Sequence, residues 1–291
     1  MYRLFFAIFF FLPHVVVIMA VHAEPQDLIN VYVSILPQKY LVERVGGKRV
    51  KVNVMVKPGL NPETYEPTPK QMAGLSDADF YFSMAVPFES VWIKRIASLN
   101  PDIRIIDCCG DLEIHDPVSH VHGFHTGLTK DAHVWTSPKN AIVLAEIIKS
   151  ALSEFDPEYE EYFENNYQVL TSELNELDED IRTKLVSLNN RYLLVAHPSW
   201  GHYAEAYGLI QISIEQHGTE IKAKQLSMLI ELSLREKIQT VYVQRQFNTA
   251  SARILAREIN AGIVELDPLA EDYINNLRDV TQAIIAGANS E

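Results

Sequence analysis

The sequence predicts a two-lobed α/β protein in which each lobe holds a four-stranded parallel sheet flanked by helices, and one long rigid helix joins the lobes. Short apolar runs rich in Val, Ile and Tyr recur with helix-length segments between them, which is typical of buried parallel strands in βα units. These runs fall into two groups of four. A single stretch of helical periodicity separates the groups, so it is the predicted connection.

The chain begins with a predicted secretory signal peptide at residues 1–23. Arg3 supplies a positive charge, an apolar run covers Leu4–Ala20, and small residues precede a cleavage point after Ala23. A membrane anchor is the alternative, but Pro13 interrupts the apolar run. Since no Cys lies near the cleavage point, we expect a soluble periplasmic protein without a lipid anchor or stable membrane insertion.

Eight apolar runs are the predicted strands of the two sheets. The first group comprises Val31–Leu36, Val52–Val56, Asp79–Phe82 and Ile103–Asp107, and the second comprises Tyr192–Ala196, Gln211–Ile214, Thr240–Val243 and Ile263–Leu266. We therefore predict an N-terminal lobe at residues 24–140, a connecting segment at 141–189 and a C-terminal lobe at 190–291.

The connecting segment carries the predicted long helix. Asp156 and Pro157 form a typical helix start, and apolar residues then recur every three or four positions as far as Leu188. A helix of about 32 residues would span about 48 Å. A coiled-coil or bundle helix is the alternative interpretation. A continuous helix resists hinge motion, so we expect lobes that move little around a ligand.

Charge and cysteine content exclude two classes of protein. The chain has 25 Lys and Arg against 38 Asp and Glu, a formal charge of -13, whereas nucleic-acid binding needs concentrated basic residues. Removal of the predicted leader takes away one Arg and no acid, which gives -14. The two cysteines, Cys108 and Cys109, are adjacent and provide no disulfide framework. We interpret them as buried small apolar residues, with a vicinal disulfide or a thiolate metal site as alternatives.

Four candidate ligands follow predicted strands or lie in separate loops. Glu63 lies in a proline-rich loop after the second strand, His197 directly follows the fifth, and Asp267 directly follows the eighth. His133 lies in DAHVWTSP. Ligand groups collect beyond the carboxyl ends of parallel strands, and two imidazoles with two carboxylates suit Zn²⁺ or Mn²⁺. Taken singly, each residue also fits a structural role, as a hydrogen-bonded histidine or a turn-forming acid.

Six motifs resemble the solute-binding proteins of zinc and manganese ABC importers, the cluster A-I family. They are PGLNPETYEPTP at 58–69, LSDADFYF at 75–82, DAHVWTSP at 131–138, AHPSWGHYAEAYGL at 196–209, VQRQF at 243–247 and ELDPL at 265–269. The resemblance covers nearly the whole mature chain and keeps the motifs in the family's order. It implies two α/β lobes joined by a long helix, with a metal site between them and an ABC permease as partner.

The resemblance also implies a ligand set. His133 and His197 match metal ligands of the family, and Asp267 matches its ligand carboxylate. Glu63 stands where the family has His, so it either ligates as a carboxylate or points away and leaves a position for water. Zn²⁺ is the expected cargo, with Mn²⁺ and Fe²⁺ as alternatives.

A second histidine cluster lies in loop 115–125. It comprises His115, His120, His122 and His125. The family often carries a His-rich loop in this region, which suggests transient metal capture, and a surface loop without function is the alternative. We expect His202 and His217 to be structural.

These observations predict a monomeric, non-enzymatic protein that captures a divalent metal ion outside the cytoplasm and delivers it to an ABC permease. No catalytic residue and no cofactor besides the transported metal are expected. A secreted zinc hydrolase is one alternative, although the chain lacks a paired-His motif such as H-E-x-x-H. A metal-independent adhesin on the same fold is the other, because Glu63 departs from the family pattern.

Overall fold

Two four-stranded parallel sheets form the framework of the computed structural model, which describes residues 27–110, 112, 131–215 and 222–289. The first sheet has the order β2-β1-β3-β4 and the second the order β6-β5-β7-β8. The strands are β1 Ile29–Val33, β2 Val50–Val54, β3 Phe80–Ser83, β4 Arg104–Asp107, β5 Tyr192–Val195, β6 Ile210–Ser213, β7 Thr240–Val243 and β8 Gly262–Glu265. Every recorded pairing is parallel, which confirms the predicted fold class.

Helices flank and connect these sheets. They are α1 Leu36–Gly46, α2 Pro69–Leu75, α3 Glu89–Leu99, α4 Pro138–Phe155, α5 Glu160–Leu185, α6 Gly201–Tyr207, α7 Ala223–Arg235, α8 Ala250–Glu258 and α9 Tyr273–Ala288, with short 3-10 turns at Gly47–Arg49, Val134–Thr136 and Pro157–Tyr159. The first predicted strand ran too far, to Leu36. That residue starts α1 instead, because Pro37 is already set for the first turn of a helix.

The long helix α5 is shorter than predicted. It has 26 residues and spans about 39 Å, because Pro157–Tyr159 form a separate 3-10 turn before it and it ends at Leu185, three residues before the predicted end. Asp156 does not cap this helix. Its carboxylate accepts hydrogen bonds from the Arg49 guanidinium, at 3.0 Å from Nε and 2.5 Å from Nη2.

Helix α5 contacts both lobes along its length. On the N-terminal side, Glu173 forms a bidentate ion pair with Arg44 of α1, with both N–O distances at 2.8 Å. On the C-terminal side, Asp178 accepts a hydrogen bond from the Tyr207 hydroxyl of α6 at 2.9 Å. The buried apolar face of α5 belongs to a core that includes residues of both sheets. A second, smaller core lies within the C-terminal lobe.

Trp135 joins the two lobes through two buried hydrogen bonds. Its indole nitrogen donates to the carbonyl oxygen of Pro268 at 2.7 Å. Its own carbonyl oxygen accepts from the Tyr273 hydroxyl at 2.6 Å. The turn that carries Trp135 directly follows His133, and Pro268 directly follows Asp267. This junction therefore links the two candidate ligand segments directly.

Both cysteines are buried with free thiols, which confirms their predicted burial. The Cys109 sulfur lies 3.6 Å from the Met84 sulfur, and the Gln38 amide lies 3.7 Å from the Cys108 sulfur. Burial, with a smaller effect of nearby Asp107, raises the pKa of the Cys109 thiol to about 12. Cys109 is therefore a neutral thiol at physiological pH, a form that is a poor metal ligand.

The buried Glu89 carboxyl lies beside these thiols at the start of α3. It accepts hydrogen bonds from the Ser34 hydroxyl and from the Met84 backbone N–H, the latter at 2.9 Å. The next residue, Ala85, has a positive φ of 54°, so Glu89 supports a turn that alanine rarely adopts. Burial raises the pKa of Glu89 to about 7 and outweighs these hydrogen bonds, which favour the charged form.

Glu89 makes stability depend on pH. In the unfolded chain the Glu89 carboxyl loses its proton near the ordinary pKa of 4.5, whereas in the folded chain it keeps the proton up to a pH of about 7. As the pH rises through this interval, the free energy of unfolding therefore falls by up to about 3 kcal/mol. We expect Glu89→Gln to lack this loss. Its free energy of unfolding relative to wild type should therefore rise between about pH 4.5 and about pH 8. Urea unfolding followed by circular dichroism measures this, with the exposed Glu258→Gln as control. Parallel pH curves for wild type and Glu89→Gln would contradict the prediction.

Candidate metal centre

Two of the four candidate ligands lie just beyond the carboxyl ends of strands, and the other two lie in loops. His197 lies two residues after β5 and Asp267 two residues after β8, while His133 immediately precedes the Val134–Thr136 turn. Glu63 lies in the loop between β2 and α2, where its backbone N–H donates to the Asn61 side chain at 2.8 Å. The convergence of all four at one site stays a prediction.

The loop that carries Glu63 is held at three points. The Asn61 side chain closes a tight turn at its start. In the middle, the Tyr65 ring packs edge-on against Phe88, with ring centroids 5.3 Å apart. At its end, the Thr68 hydroxyl caps α2 by accepting from the Gln71 backbone N–H at 3.3 Å. Glu63 is therefore presented by a stiff segment.

His197 and Glu63 face each other across the site. His197 is 3% exposed, and its Nε2 atom has no hydrogen-bond partner. That nitrogen lies 3.3 Å from Glu63 Oε1. The other ring nitrogen, Nδ1, lies 3.0 Å from Glu215 Oε2 and donates to it, since a carboxylate only accepts. When the ring is neutral, the lone pair of Nε2 therefore faces Glu63 Oε1, which is also a hydrogen-bond acceptor.

His133 lies next to this pair. Its ring centroid is 5.4 Å from that of His197. Its Nδ1 atom donates to Asp131 Oδ1 at 2.7 Å, and its backbone N–H donates to the same oxygen at 2.9 Å. Nδ1 is thus occupied in both histidines, which leaves the two Nε2 atoms as the available ligand nitrogens.

Asp131 is a buried carboxylate that orients His133. Burial raises its pKa, but the hydrogen bond from His133 and the nearby His133 and His202 rings outweigh that effect, so the pKa lies below its usual value. The His202 Nε2 atom lies 3.0 Å from the Asp131 carbonyl oxygen and donates to it. His202 thus supports the ligand segment, in agreement with its predicted structural role.

Asp267 is oriented by its own neighbours. Its Oδ1 atom accepts from the Gln246 side-chain amide and from the Leu269 backbone N–H, both at 2.9 Å. It lines a cleft of about 210 Å³ between the lobes, with Lys57 on the opposite side and Arg245 nearby. Within the described ranges, no hydrogen bond or ion pair joins Asp267 to Glu63, His133 or His197.

The four side chains do not form a closed cluster. Among the residues that the structure describes, no group of three or more His, Cys, Asp and Glu side chains is close enough to hold a metal ion. The structure thus places Glu63 and His133 each beside His197, while Asp267 remains bonded to its neighbours. The predicted four-ligand set stays a prediction.

Glu215 and Phe247 contribute to the site, although our sequence analysis did not single them out. Glu215 fixes the His197 ring through Nδ1. The Phe247 ring stacks on the same imidazole, with ring centroids 3.7 Å apart and an angle of 15° between the ring planes. Glu215 closely follows β6, so the rule that located His197 would have found it as well. Loop 115–125 with its four histidines, and also His217, lie outside the described residues.

A comparison with protein families assigns the chain. Residues 31–287 match the model described as "ZnuA: Zinc-uptake complex component A periplasmic". The chain belongs to the ZnuA family. Its members are periplasmic solute-binding components that work with the permeases of ABC importers, so the resemblance recognised in the six motifs is confirmed. In the described parts of this ZnuA-family chain, no helix is long and apolar enough to span a membrane.

Individual relatives agree with this family. A putative metal-binding protein of Chlamydia trachomatis is 30% identical over 256 residues, covering 87% of this chain and 90% of the relative. The zinc-binding lipoprotein AdcA of Streptococcus pneumoniae is 26% identical, and the match covers 83% of this chain but only 50% of AdcA. A crystal structure of ZnuA is 34% identical with a TM-score of 0.85, covering 90% of this chain and 100% of that chain.

Removal of the Glu215 carboxylate should weaken metal binding. Glu215→Ala frees the His197 ring to rotate and to change tautomer, and loss of such a supporting carboxylate costs about 10- to 100-fold in metal affinity. Glu215→Gln keeps an oxygen acceptor and should lose less. Calorimetric titration with Zn²⁺ measures both variants, and Glu231→Ala, an exposed acid on α7, controls for the lost charge. Unchanged affinity in Glu215→Ala would contradict this role.

Proposed function

We propose that this protein captures one Zn²⁺ ion between its lobes and delivers it to the membrane permease of an ABC importer. The supporting observation is the 3.3 Å separation between His197 Nε2 and Glu63 Oε1, two atoms of types that ligate Zn²⁺, with no other hydrogen-bond partner at the buried nitrogen. Two ligand atoms at about 2.0 Å from a tetrahedral Zn²⁺ are themselves separated by about 3.3 Å. A zinc ion would therefore satisfy both atoms where they stand.

We propose Glu63, His133, His197 and Asp267 as the four ligands. The two histidines offer Nε2, since Asp131 and Glu215 hold their Nδ1 atoms. Glu63 then replaces the family's histidine as a ligand and does not point away. Asp267 completes the set through Oδ2, because two hydrogen bonds occupy its Oδ1. The histidines of loop 115–125 are an additional proposal for transient metal capture.

Zinc is favoured over manganese and iron by the two oriented imidazoles and the tetrahedral spacing of the first ligand pair. A ligand set with two carboxylates is chemically harder than one with three histidines, and hard oxygen ligands suit Mn²⁺ better. Mn²⁺ and Fe²⁺ are therefore the alternative cargoes. Among the relatives, the names of ZnuA and AdcA refer to zinc. We therefore assign zinc first.

We infer that the protein acts as a soluble, exported monomer without catalytic activity. This inference rests on the proposed ligand set: one chain would supply all four ligands, and four protein ligands would leave no open position for a metal-bound water. A secreted zinc hydrolase would need that open position and a free general base. The signal peptide at residues 1–23 stays a prediction, since it lies outside the described residues.

A calorimetric titration of metal-free mature protein tests the ligand set. We expect about one Zn²⁺ per chain. His133→Ala should lower the affinity by at least about 100-fold, because it removes a ligand and leaves Asp131 without its partner. Glu63→Ala should lower it by about 10-fold or more. Glu66 is exposed and lies in the same loop, so Glu66→Ala serves as the matched control.

Several results would overturn this proposal. Absence of saturable zinc binding would contradict the carrier function, and retained tight binding in Glu63→Ala would exclude Glu63 as a ligand. If Mn²⁺ or Fe²⁺ bound more tightly than Zn²⁺, that metal and not zinc would be assigned as the cargo. Turnover of ester or peptide substrates by the metal-loaded protein would favour the hydrolase.

A further inference from the structure

The carboxylate of Asp267 has one oxygen occupied and one oxygen left for a ligand. Oδ1 accepts from the Gln246 amide and from the Leu269 N–H. In addition, the Asn276 side chain donates to the Asp267 carbonyl oxygen at 2.8 Å, which fixes the backbone. A metal ion bound by Asp267 would therefore meet Oδ2.

Arg245 approaches that same oxygen. Its Nε atom lies 3.9 Å from Asp267 Oδ2. The Asp267 side chain is 22% exposed and the Arg245 side chain is 59% exposed, so solvent screens this interaction only in part. Within the described residues, Arg245 is the cation recorded nearest to Oδ2.

Glu265 holds Arg245 in this position. The Glu265 carboxylate lies 2.6 Å from Nη2 and 2.8 Å from Nε of Arg245. This hydrogen bond, together with the negative charges of Glu265 and Asp267, raises the pKa of the Arg245 guanidinium. Arg245 therefore carries a constant positive charge, and Glu265 restrains it at the ends of β7 and β8.

We propose that Arg245 is a resident cation that competes with the transported metal for Asp267 Oδ2, lowering metal affinity and speeding metal release. This inference rests on the proposed ligand role of Asp267. Without metal, Arg245 partly neutralises the carboxylate. When a divalent ion binds Oδ2, it faces the positive guanidinium a few ångströms away, and the two cations repel each other. Arg245 thus stabilises the metal-free state relative to the loaded state.

The sign of the effect distinguishes this role from a supporting role. A side chain that positions a ligand weakens binding when removed, as expected for Glu215. Removal of a competing cation should instead strengthen binding. For a partly exposed charge pair we expect a gain of about two- to fivefold, which decreases with added salt because the charges are screened.

The test compares zinc affinity and zinc release in matched variants of the full mature protein. Arg245→Met removes the charge, Arg245→Lys keeps it, and Arg253→Met removes an exposed arginine from α8 as the control. Competition with a chromophoric chelator gives the dissociation constant, and stopped-flow transfer to that chelator gives the release rate. Thermal unfolding verifies that each variant is folded.

We expect Arg245→Met to bind Zn²⁺ about two- to fivefold more tightly and to release it correspondingly more slowly. Arg245→Lys and Arg253→Met should resemble wild type. In an Asp267→Asn background, the effect of Arg245→Met should shrink, because the shared carboxylate charge is gone.

Two failures lead to different conclusions. If Asp267→Asn weakens binding while Arg245→Met leaves it unchanged or weaker, the competition is refuted and the proposed site stands. An equal gain in Arg253→Met also refutes it, since the effect would then be one of total charge. If wild type does not bind zinc, or Asp267→Asn binds as well as wild type, the ligand role of Asp267 is refuted along with the competition.

Discussion

The buried junction at Trp135 sets the geometry on which the candidate metal centre depends. The Trp135 indole donates to Pro268, and the Tyr273 hydroxyl donates back to the Trp135 carbonyl. A buried hydrogen-bonding group left without its partner costs about 1–3 kcal/mol, so both bonds resist separation of the lobes. His133 precedes Trp135 and Asp267 precedes Pro268, so the junction limits how far these two ligand segments can move apart.

Helix α5 and the core shared by both lobes add to this constraint. A wide hinge motion would have to break the Arg44–Glu173 pair or the Tyr207–Asp178 hydrogen bond and expose apolar side chains. Capture and release are therefore better served by side chains and loops at the cleft than by large lobe movements. Hydrogen bonds hold the backbone around Glu63 and Asp267, so such adjustments fall to side chains, such as that of Arg245, which is 59% exposed.

The sequence predicted the fold class, and it placed His197 and Asp267 just beyond strand ends, because apolar runs and strand-end positions are local signals. It did not predict contacts between distant segments. The sequence indicated Asp156 as a helix cap, but its carboxylate accepts hydrogen bonds from Arg49, which is distant in sequence. The orientation of Asp267 depends on Gln246 of a neighbouring strand end. Glu215 carried a usable local signal, and it was missed because carboxylates are common at such positions.

The burial of Cys108 and Cys109 has a consequence for the biogenesis of the protein. Proteins of the periplasm fold where thiols are readily oxidised, and a thiol reacts only while an oxidant can reach it. Both thiols are shielded once β4 has paired with β3 and Gln38 of α1 lies against Cys108. In that compartment, folding of the N-terminal lobe and oxidation would compete in time, and the rate of folding would determine which fraction of the chains keeps its thiols reduced.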